Sequence, residues 1–320
     1  MDKKFGFMRV GAATPKLEIS NVKFNVDEIK KIMDESLKNG VEVTLFPELS
    51  LTGYTCADLF LNDHLLDEAI KGLIDLKNYT KKVKGVFIVG LPVRLDNQLF
   101  NTAAVLENGH ILGIVPKTYI PNYGEFYEKR WFSEDNRRLS DSIVIDGEEI
   151  PFKTNILFQE KGDSRRTFGI EICEDLWCTY PPSSDLTIRG AKVIFNLSAS
   201  NEIIGKSEYR KSLIKSQSEK TISAYVYASS GINESTTDLV FSGASFIYEN
   251  GHLLSKNNRF DFESNLIFND VDLARIDAMR VKDISYMGVI KDRDKKYDIA
   301  YFDGYAPDNE LIRKYTPSPF

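Results

Sequence analysis

The stretch LFNTAAVLENGHILGIV, Leu99 to Val115, sets two apolar runs on either side of Asn108-Gly109. Asn-Gly between such runs is the strongest short-range hairpin signal, because both turn positions need a positive φ that Asn and Gly adopt at little cost. The device returns about 140 positions later, where GASFIYENGHLLSK, Gly243 to Lys256, sets Asn250-Gly251 between matching runs. ENGHIL and ENGHLL are near-repeats, and they predict equivalent hairpins in two similar sheets.

Upstream of the first hairpin, Phe5 to Ala13 reads as an opening strand. Asn25 can cap a helix from about Val26 to Lys38, with Ile29, Ile32, Met33 and Leu37 on one stripe and Gly40 as its stop. Val41 to Phe46 and Lys84 to Val93 follow as apolar strands. Between the hairpins lie RTFGIEI, a strand ending at Cys173, then a helix of small and polar residues, the buried strand AKVIFNLSA, and a helix around Glu208 to Ser230. Strands alternating with helices, plus hairpins, argue for a layered α/β sandwich in a single domain. Beyond about Asp277 the periodicity fades into a polar, aromatic-dotted stretch ending in Pro-Ser-Pro-Phe, which reads as an extension or linker from a piece of a longer protein.

The 320 residues suffice for a substantial core, and 42% hydrophobic with 28% charged residues is ordinary for a folded globular chain. A net charge of -6 without a Lys/Arg run gives no nucleic-acid or anionic-membrane surface. No apolar run reaches the roughly 18 residues of a membrane span, and the N-terminus lacks a signal-peptide pattern. Cys56, Cys173 and Cys178 are too few and too unevenly spaced for a disulfide framework or a metal site, so free thiols in a reducing cytoplasm are expected.

Cys173 sits in EICEDLW among Glu171, Glu174 and Asp175, where neighbouring negative charge favours a neutral thiol. It needs a base, and the histidines are badly placed: His110 and His252 follow hairpin turns and His64 lies in a polar helical stretch. Two other strand ends supply carboxylate and ammonium. FPELSLTGY puts Glu48 just past an apolar strand, and IVPKTYIPNYGEFYEKRWF does the same for Lys117.

These blocks together resemble the nitrilase superfamily, the carbon-nitrogen hydrolases with a Glu-Lys-Cys triad, in order and spacing across roughly residues 5 to 276. PNYGEFYEKRWF, CEDLW, NLSAS followed by Lys206, and NESTTDLVFSGAS are most similar to the glutaminase domains of glutamine-dependent NAD synthetases. The resemblance implies a four-layer αββα sandwich of two mixed β-sheets over residues 1–276, with 277–320 leading towards a synthetase domain absent from this chain. It implies hydrolysis of L-glutamine with ammonia passed to that domain, and a homo-oligomer. No cofactor is expected in this chain; ATP and Mg belong to the missing domain, whose Ser-Gly-Gly-x-Asp-Ser loop has no counterpart in ASSGINES at 228–235. A free-standing amidase or carbamoylase, or a silent assembly domain, are the alternatives.

On this resemblance Glu48 is the general base, Lys117 and the Glu174 N–H bind the oxyanion, and Cys173 is the nucleophile. Glu128 matches a second glutamate supporting the lysine, with Glu125 close enough to compete. Tyr123, Ser200, Lys206 and the Glu174 side chain are implied for glutamine, with Tyr54 and Phe126 lining the pocket. Lys206 stands where the family often has arginine, and so gives up bidentate geometry towards a carboxylate.

Overall fold

The computed structural model describes residues 5–289, 296–305, 307, 310–313, 315 and 318. The first half runs β1 (Phe7–Thr14), α1 (Val22–Lys38), β2 (Val43–Leu45), α2 (Asp63–Tyr79), β3 (Val86–Leu95), β4 (Gln98–Glu107) and β5 (His110–Pro116). Two small hairpins follow, β6 (Asn122–Tyr123) with β7 (Phe126–Tyr127) and β8 (Ser142–Ile145) with β9 (Glu148–Pro151). The second half runs β10 (Ile156–Glu160), β11 (Asp163–Ile172), α3 (Glu174–Trp177), α4 (Pro182–Ile188), β12 (Val193–Ser198), α5 (Lys206–Lys220), β13 (Ala224–Ser229), β14 (Ser245–Glu249) and β15 (His252–Lys256). The remaining elements are β16 (Asn265–Asp272), α6 (Leu273–Lys282) and β17 (Asp298–Phe302).

One sheet has the order β16-β1-β2-β3-β4-β5 and the other β15-β14-β13-β12-β11-β10-β17. In each, three parallel strands carry an antiparallel hairpin on one side and an antiparallel strand on the other, beyond which the second sheet adds β17. The two Asn-Gly turns occupy equivalent corners, joining β4 to β5 and β14 to β15, and Asn108 and Asn250 both have positive φ, 47° and 46°.

Period-two alternation places the sheets face to face. Met8, Val10 and Ala12 of β1 share one buried cluster with Phe168, Ile170 and Ile172 of β11 and Ala224, Val226 and Ala228 of β13. The opposite faces take helices: Ile29, Ile32 and Met33 of α1 and Leu73 and Leu76 of α2 pack with Phe87 and Val89 of β3. Leu186 of α4 and Ile214 of α5 pack with Ile194, Tyr225 and Tyr227. The result is the expected four-layer αββα sandwich. At about 1.5–3 kcal/mol per fully buried Val, Leu, Ile or Phe side chain, the inter-sheet layer is a major cohesive term, and any polar group at its margin is desolvated.

Three local expectations are corrected. α1 starts earlier, at Val22, with Asn21 accepting from Phe24 N at 3.2 Å, while Asn25 lies inside the helix and donates to Glu18 O at 2.9 Å and Leu51 O at 3.0 Å. The helix expected to reach Ser230 ends at Lys220, and AYVYAS is β13, an interior strand of the sheet. No Gly or Pro marks that break; Ile222 itself takes φ 43°, a strained choice for a β-branched residue. The stretch after Asp277, expected as an extension or linker, is anchored to the sandwich at several described points, while Val281 and Ile284 stay exposed. Arg280 of α6 is buried and donates to Ile222 O and Ala191 O at 2.9 and 2.8 Å, β17 pairs in parallel with β10, and Arg313 donates to Glu249 Oε1 at 2.7 Å.

Candidate active site

The implied residues follow the C-terminal ends of strands, where side chains leave the sheet and can converge. Glu48 comes three residues after β2, on a loop that crosses β3 so closely that a Cβ on Gly90 would lie 2.3 Å from Leu49 N and 2.6 Å from Pro47 O. Only glycine fits at that crossing. Glu48 N also donates to Ser198 O at 3.4 Å, which ties the loop to the other sheet. Lys117 follows β5, its N–H on Asn101 O at 2.8 Å. Cys173 follows β11 at φ 44° and ψ -95°, a sharp turn into α3. Glu128 opens a 3₁₀ turn beyond the β6/β7 hairpin, with its N–H on Pro121 O at 3.2 Å.

These four residues are buried, and three share a bonded set. Lys117 Nζ donates to Glu48 Oε1 at 2.6 Å and to Glu128 Oε1 and Oε2 at 2.8 and 2.9 Å. Tyr54 OH donates to Glu128 Oε1 at 2.8 Å, and Asn101 Nδ2 donates to Glu48 Oε1 at 2.6 Å. Glu48 Oε2 is buried with no hydrogen-bond partner among the described residues. Glu128 rather than Glu125 meets the lysine; Glu125 accepts from Asn201 Nδ2 at 2.6 Å.

Burial works against the Lys117 charge, but Glu128 and Glu48 outweigh it and hold the ammonium well above its ordinary range. Burial also raises Glu128. Burial first and Glu48 second push the Cys173 thiol far above its usual range, with Lys117 pulling it back. With two carboxylates against one ammonium, the resting sulfur is a neutral thiol. Iodoacetamide alkylation of Cys173, read by peptide mass spectrometry, is therefore expected to climb from about pH 6 to about pH 10. A rate already at its plateau near neutrality would mean a resting thiolate.

Cys173 lies at a cavity of about 480 Å³ lined also by Tyr123, Phe126, Glu174, Trp177, Ser200 and Lys206. Tyr123 OH donates to both Glu174 oxygens, at 3.0 and 2.9 Å. Lys206, in the first turn of α5, places Nζ 5.3 Å from the ring centres of both Phe126 and Trp177 and donates to Asn201 Oδ1. Burial lowers its pKa. The Ser200 hydroxyl accepts from Arg210 Nη2 at 3.3 Å. Tyr54, expected as a wall of this pocket, instead lines a neighbouring cavity of about 160 Å³ with Glu128 and Leu239. His64, His110 and His252 are exposed and none lines the cavity.

Asn101 and Asn201 escaped sequence reasoning. Asn101 bonds Glu48 at 2.6 Å and reaches Glu128 Oε2 at 3.4 Å, and Asn201 bridges Glu125 to Lys206. A lone amide inside the apolar LFNTAAVL was the signal for the first; nothing local marks the second.

A family model described as carbon-nitrogen hydrolase matches residues 9–281. The glutamine-dependent NAD(+) synthetase of Mycobacterium tuberculosis (strain ATCC 25618 / H37Rv) is 36% identical over 325 aligned residues, covering 98% of this chain and 47% of that protein. The chain thus spans about half the length of the curated relatives it matches. A crystal structure of a glutamine-dependent NAD(+) synthetase from Cytophaga hutchinsonii superposes with a TM-score of 0.74 at 30% identity, over 83% of this chain and 43% of that one. An amidase from Nesterenkonia sp. AN1, with a TM-score of 0.67 at 17% identity over 89% and 94% of the two chains, shares the fold.

Proposed function

This chain belongs to the carbon-nitrogen hydrolase family, and on that premise we propose that it hydrolyses the side-chain amide of L-glutamine and supplies the ammonia to an ATP-dependent NAD synthetase domain. The observation that carries the reading is the pairing of reactive and recognition groups. The buried Glu48–Lys117–Glu128 set stands beside Cys173, and the cavity there bears one cation, Lys206, and two carboxylates, Glu174 and Glu125, of which Glu125 is already taken by Asn201. A cation and an anion flanking a thiol suit the two charges of an α-amino acid.

In the first half-reaction the Cys173 proton passes to Glu48 Oε2 as Sγ attacks the amide carbon. The tetrahedral oxyanion is held by the Lys117 ammonium and the Glu174 backbone N–H. Collapse breaks the C–N bond, Glu48 returns its proton to the leaving nitrogen, and ammonia departs from a thioester. Water then gives a proton to Glu48 and attacks the thioester; the second oxyanion collapses, and the departing sulfur recovers the proton as glutamate leaves. Glu128 keeps Lys117 charged throughout, and the cycle closes with these residues and water.

Lys206 and Glu174, aided by Tyr123 and Ser200, act in binding. Lys206→Ala is expected to raise KM for glutamine roughly 10- to 100-fold, the worth of one charged hydrogen bond, and to leave kcat within a few-fold. Ammonia release from glutamine and from a simple aliphatic amide, measured side by side, tests the substrate class. Equal kcat/KM on the two would favour a free-standing amidase. Exposed Tyr123, Tyr127, Ile204 and Tyr209 at or beside the cavity mouth suit a docking surface for the synthetase domain or a second copy. Residues 277–320 would then lead from the packed α6 and β17 towards that domain. The free thiols Cys56, Cys173 and Cys178 suit a reducing cytoplasm.

A further inference from the structure

Cys173 and Lys117 stand on different sheets: the cysteine follows β11 of the seven-stranded sheet and the lysine follows β5, the edge of the six-stranded one. No backbone ladder joins the two sheets, so their relative position at the site depends on side-chain packing and on polar ties across the gap. One such tie is Asp175, two residues beyond the cysteine and 1% exposed. Its Oδ1 accepts from Thr118 N at 3.1 Å and Tyr119 N at 2.8 Å, and its Oδ2 accepts from Ile172 N at 2.9 Å. A single carboxylate thus grips the residue before the nucleophile and the two residues after the lysine.

The local chemistry explains why a carboxylate stands there. The Cys173 N–H already bonds Leu197 O, whereas the Ile172 N–H lies beyond the part of β11 that β10 covers, whose pairing reaches Phe168. The N–H groups of Thr118 and Tyr119 lie just past the end of β5. Three donors converge. Burial first and Glu171 push the Asp175 carboxyl up to about 8, while the Ile172 and Tyr119 N–H groups and the Lys117 charge pull it back towards the ionised form, in which both oxygens only accept; an amide would turn an NH₂ towards at least one donor. The bond to Ile172 also closes a short ring over Cys173, whose φ of 44° is a conformation an L-residue holds only when its surroundings impose it.

We propose that Asp175 is a positioning residue that sets the distance between the Cys173 sulfur and the Lys117 ammonium through these backbone bonds, and so governs the rate of attack on the amide without touching substrate. Its probe rests on the glutaminase reading above. A displacement of about 1 Å between reacting groups can cost about 100-fold in rate, and loss of the tie acts on that spacing. Glutamine binding is untouched, because Asp175 is not among the residues lining the cavity.

The test is the kinetics of covalent labelling of the 320-residue chain by 6-diazo-5-oxo-L-norleucine, an electrophilic glutamine analogue. Saturating rate and half-saturating concentration are compared among wild type, Asp175→Asn and Asp175→Ala, with circular dichroism as the check on folding. Asp175→Asn is expected to lower the saturating rate roughly 30- to 100-fold with the half-saturating concentration within about twofold, and Asp175→Ala to lower it further, since asparagine keeps one acceptor oxygen. An unchanged saturating rate in folded Asp175→Asn, or a loss confined to half-saturation, overturns the proposal; an Asp175→Asn chain that does not fold overturns it too, by assigning the carboxylate to stability. A wild type that takes no label sinks the glutaminase reading instead. Iodoacetamide, which asks nothing of glutamine, then supplies the comparison: slower alkylation of Cys173 in Asp175→Asn supports the positioning role and an equal rate overturns it.

Discussion

Lys117→Ala is expected to lower glutamine turnover by about 100- to 1000-fold, the 3–4 kcal/mol that loss of one oxyanion donor typically costs. The structure makes this substitution worse than the loss of a donor. Lys117 Nζ is the cation between Glu48 and Glu128, with bonds of 2.6, 2.8 and 2.9 Å, and all three side chains are buried. Without it two carboxylates share a dry site, and one takes up a proton because two like charges there cannot both ionise. Removing one partner of a buried pair costs about 3–5 kcal/mol of stability, so the melting temperature falls as well. The sign with pH follows. Burial already raises the Glu128 carboxyl, and without the lysine it stays above its unfolded value, so its protonated form favours folding. The stability deficit relative to wild type is smallest in acid and grows as pH rises through that raised value. Thermal denaturation at about pH 5 and about pH 8, beside ammonia release assayed well below the melting point, separates the two effects. A variant with near-normal turnover would remove Lys117 from the chemistry.

The second large effect is expected from Glu48→Gln, a loss of about 100- to 10,000-fold in kcat, the range of a general acid–base catalyst. This substitution is gentle on structure. Asn101 Nδ2 and Lys117 Nζ both donate to Oε1, and a glutamine carbonyl can take that place and keep both bonds. What disappears is the basic Oε2, which has no other hydrogen-bond partner among the described residues. Lys117 retains Glu128, so the melting temperature should move little while turnover collapses. In the proposed mechanism both half-reactions use the same carboxylate, so neither thioester formation nor its hydrolysis should survive at normal rate. Steady-state kinetics with glutamine would read this as a fall in kcat at nearly constant KM.

Glu48, Lys117 and Cys173 are legible in the sequence because each follows an apolar strand, and a strand end is visible locally. Apolar strand runs and two Asn-Gly turns are likewise local signals, and they suffice for strands and hairpins in a layered α/β sandwich; the four-layer order of two sheets is what the family resemblance implies. Other features depend on contacts between distant segments. β13 reads as the tail of α5 because Thr221-Ile222-Ser223 contains no helix breaker, and tertiary packing alone forces Ile222 to positive φ. β17 is short and mostly exposed, with Phe302 buried in the inter-sheet core and Ala300 packed against it. The choice between Glu128 and Glu125 turns on the path of a loop through β6, β7 and a 3₁₀ turn, which places one carboxylate on Lys117 and the other on Asn201. Tyr54 was expected in the pocket from the company it keeps in sequence; its hydroxyl turns inward to Glu128 instead. Asp175 looked like one more negative charge burdening the cysteine, yet its oxygens are occupied by three backbone N–H groups on two segments.

In the proposed function Glu48 and Cys173 form one reactive unit directed at a glutamine side chain. Intact-mass and peptide mass spectrometry after treatment with 6-diazo-5-oxo-L-norleucine, on wild type, Cys173→Ala and Glu48→Ala, tests it most directly. A single adduct on Cys173 is expected in wild type, none in Cys173→Ala, and strongly slowed labelling in Glu48→Ala. An adduct on Cys56 or Cys178, or labelling of Glu48→Ala at the wild-type rate, would contradict it.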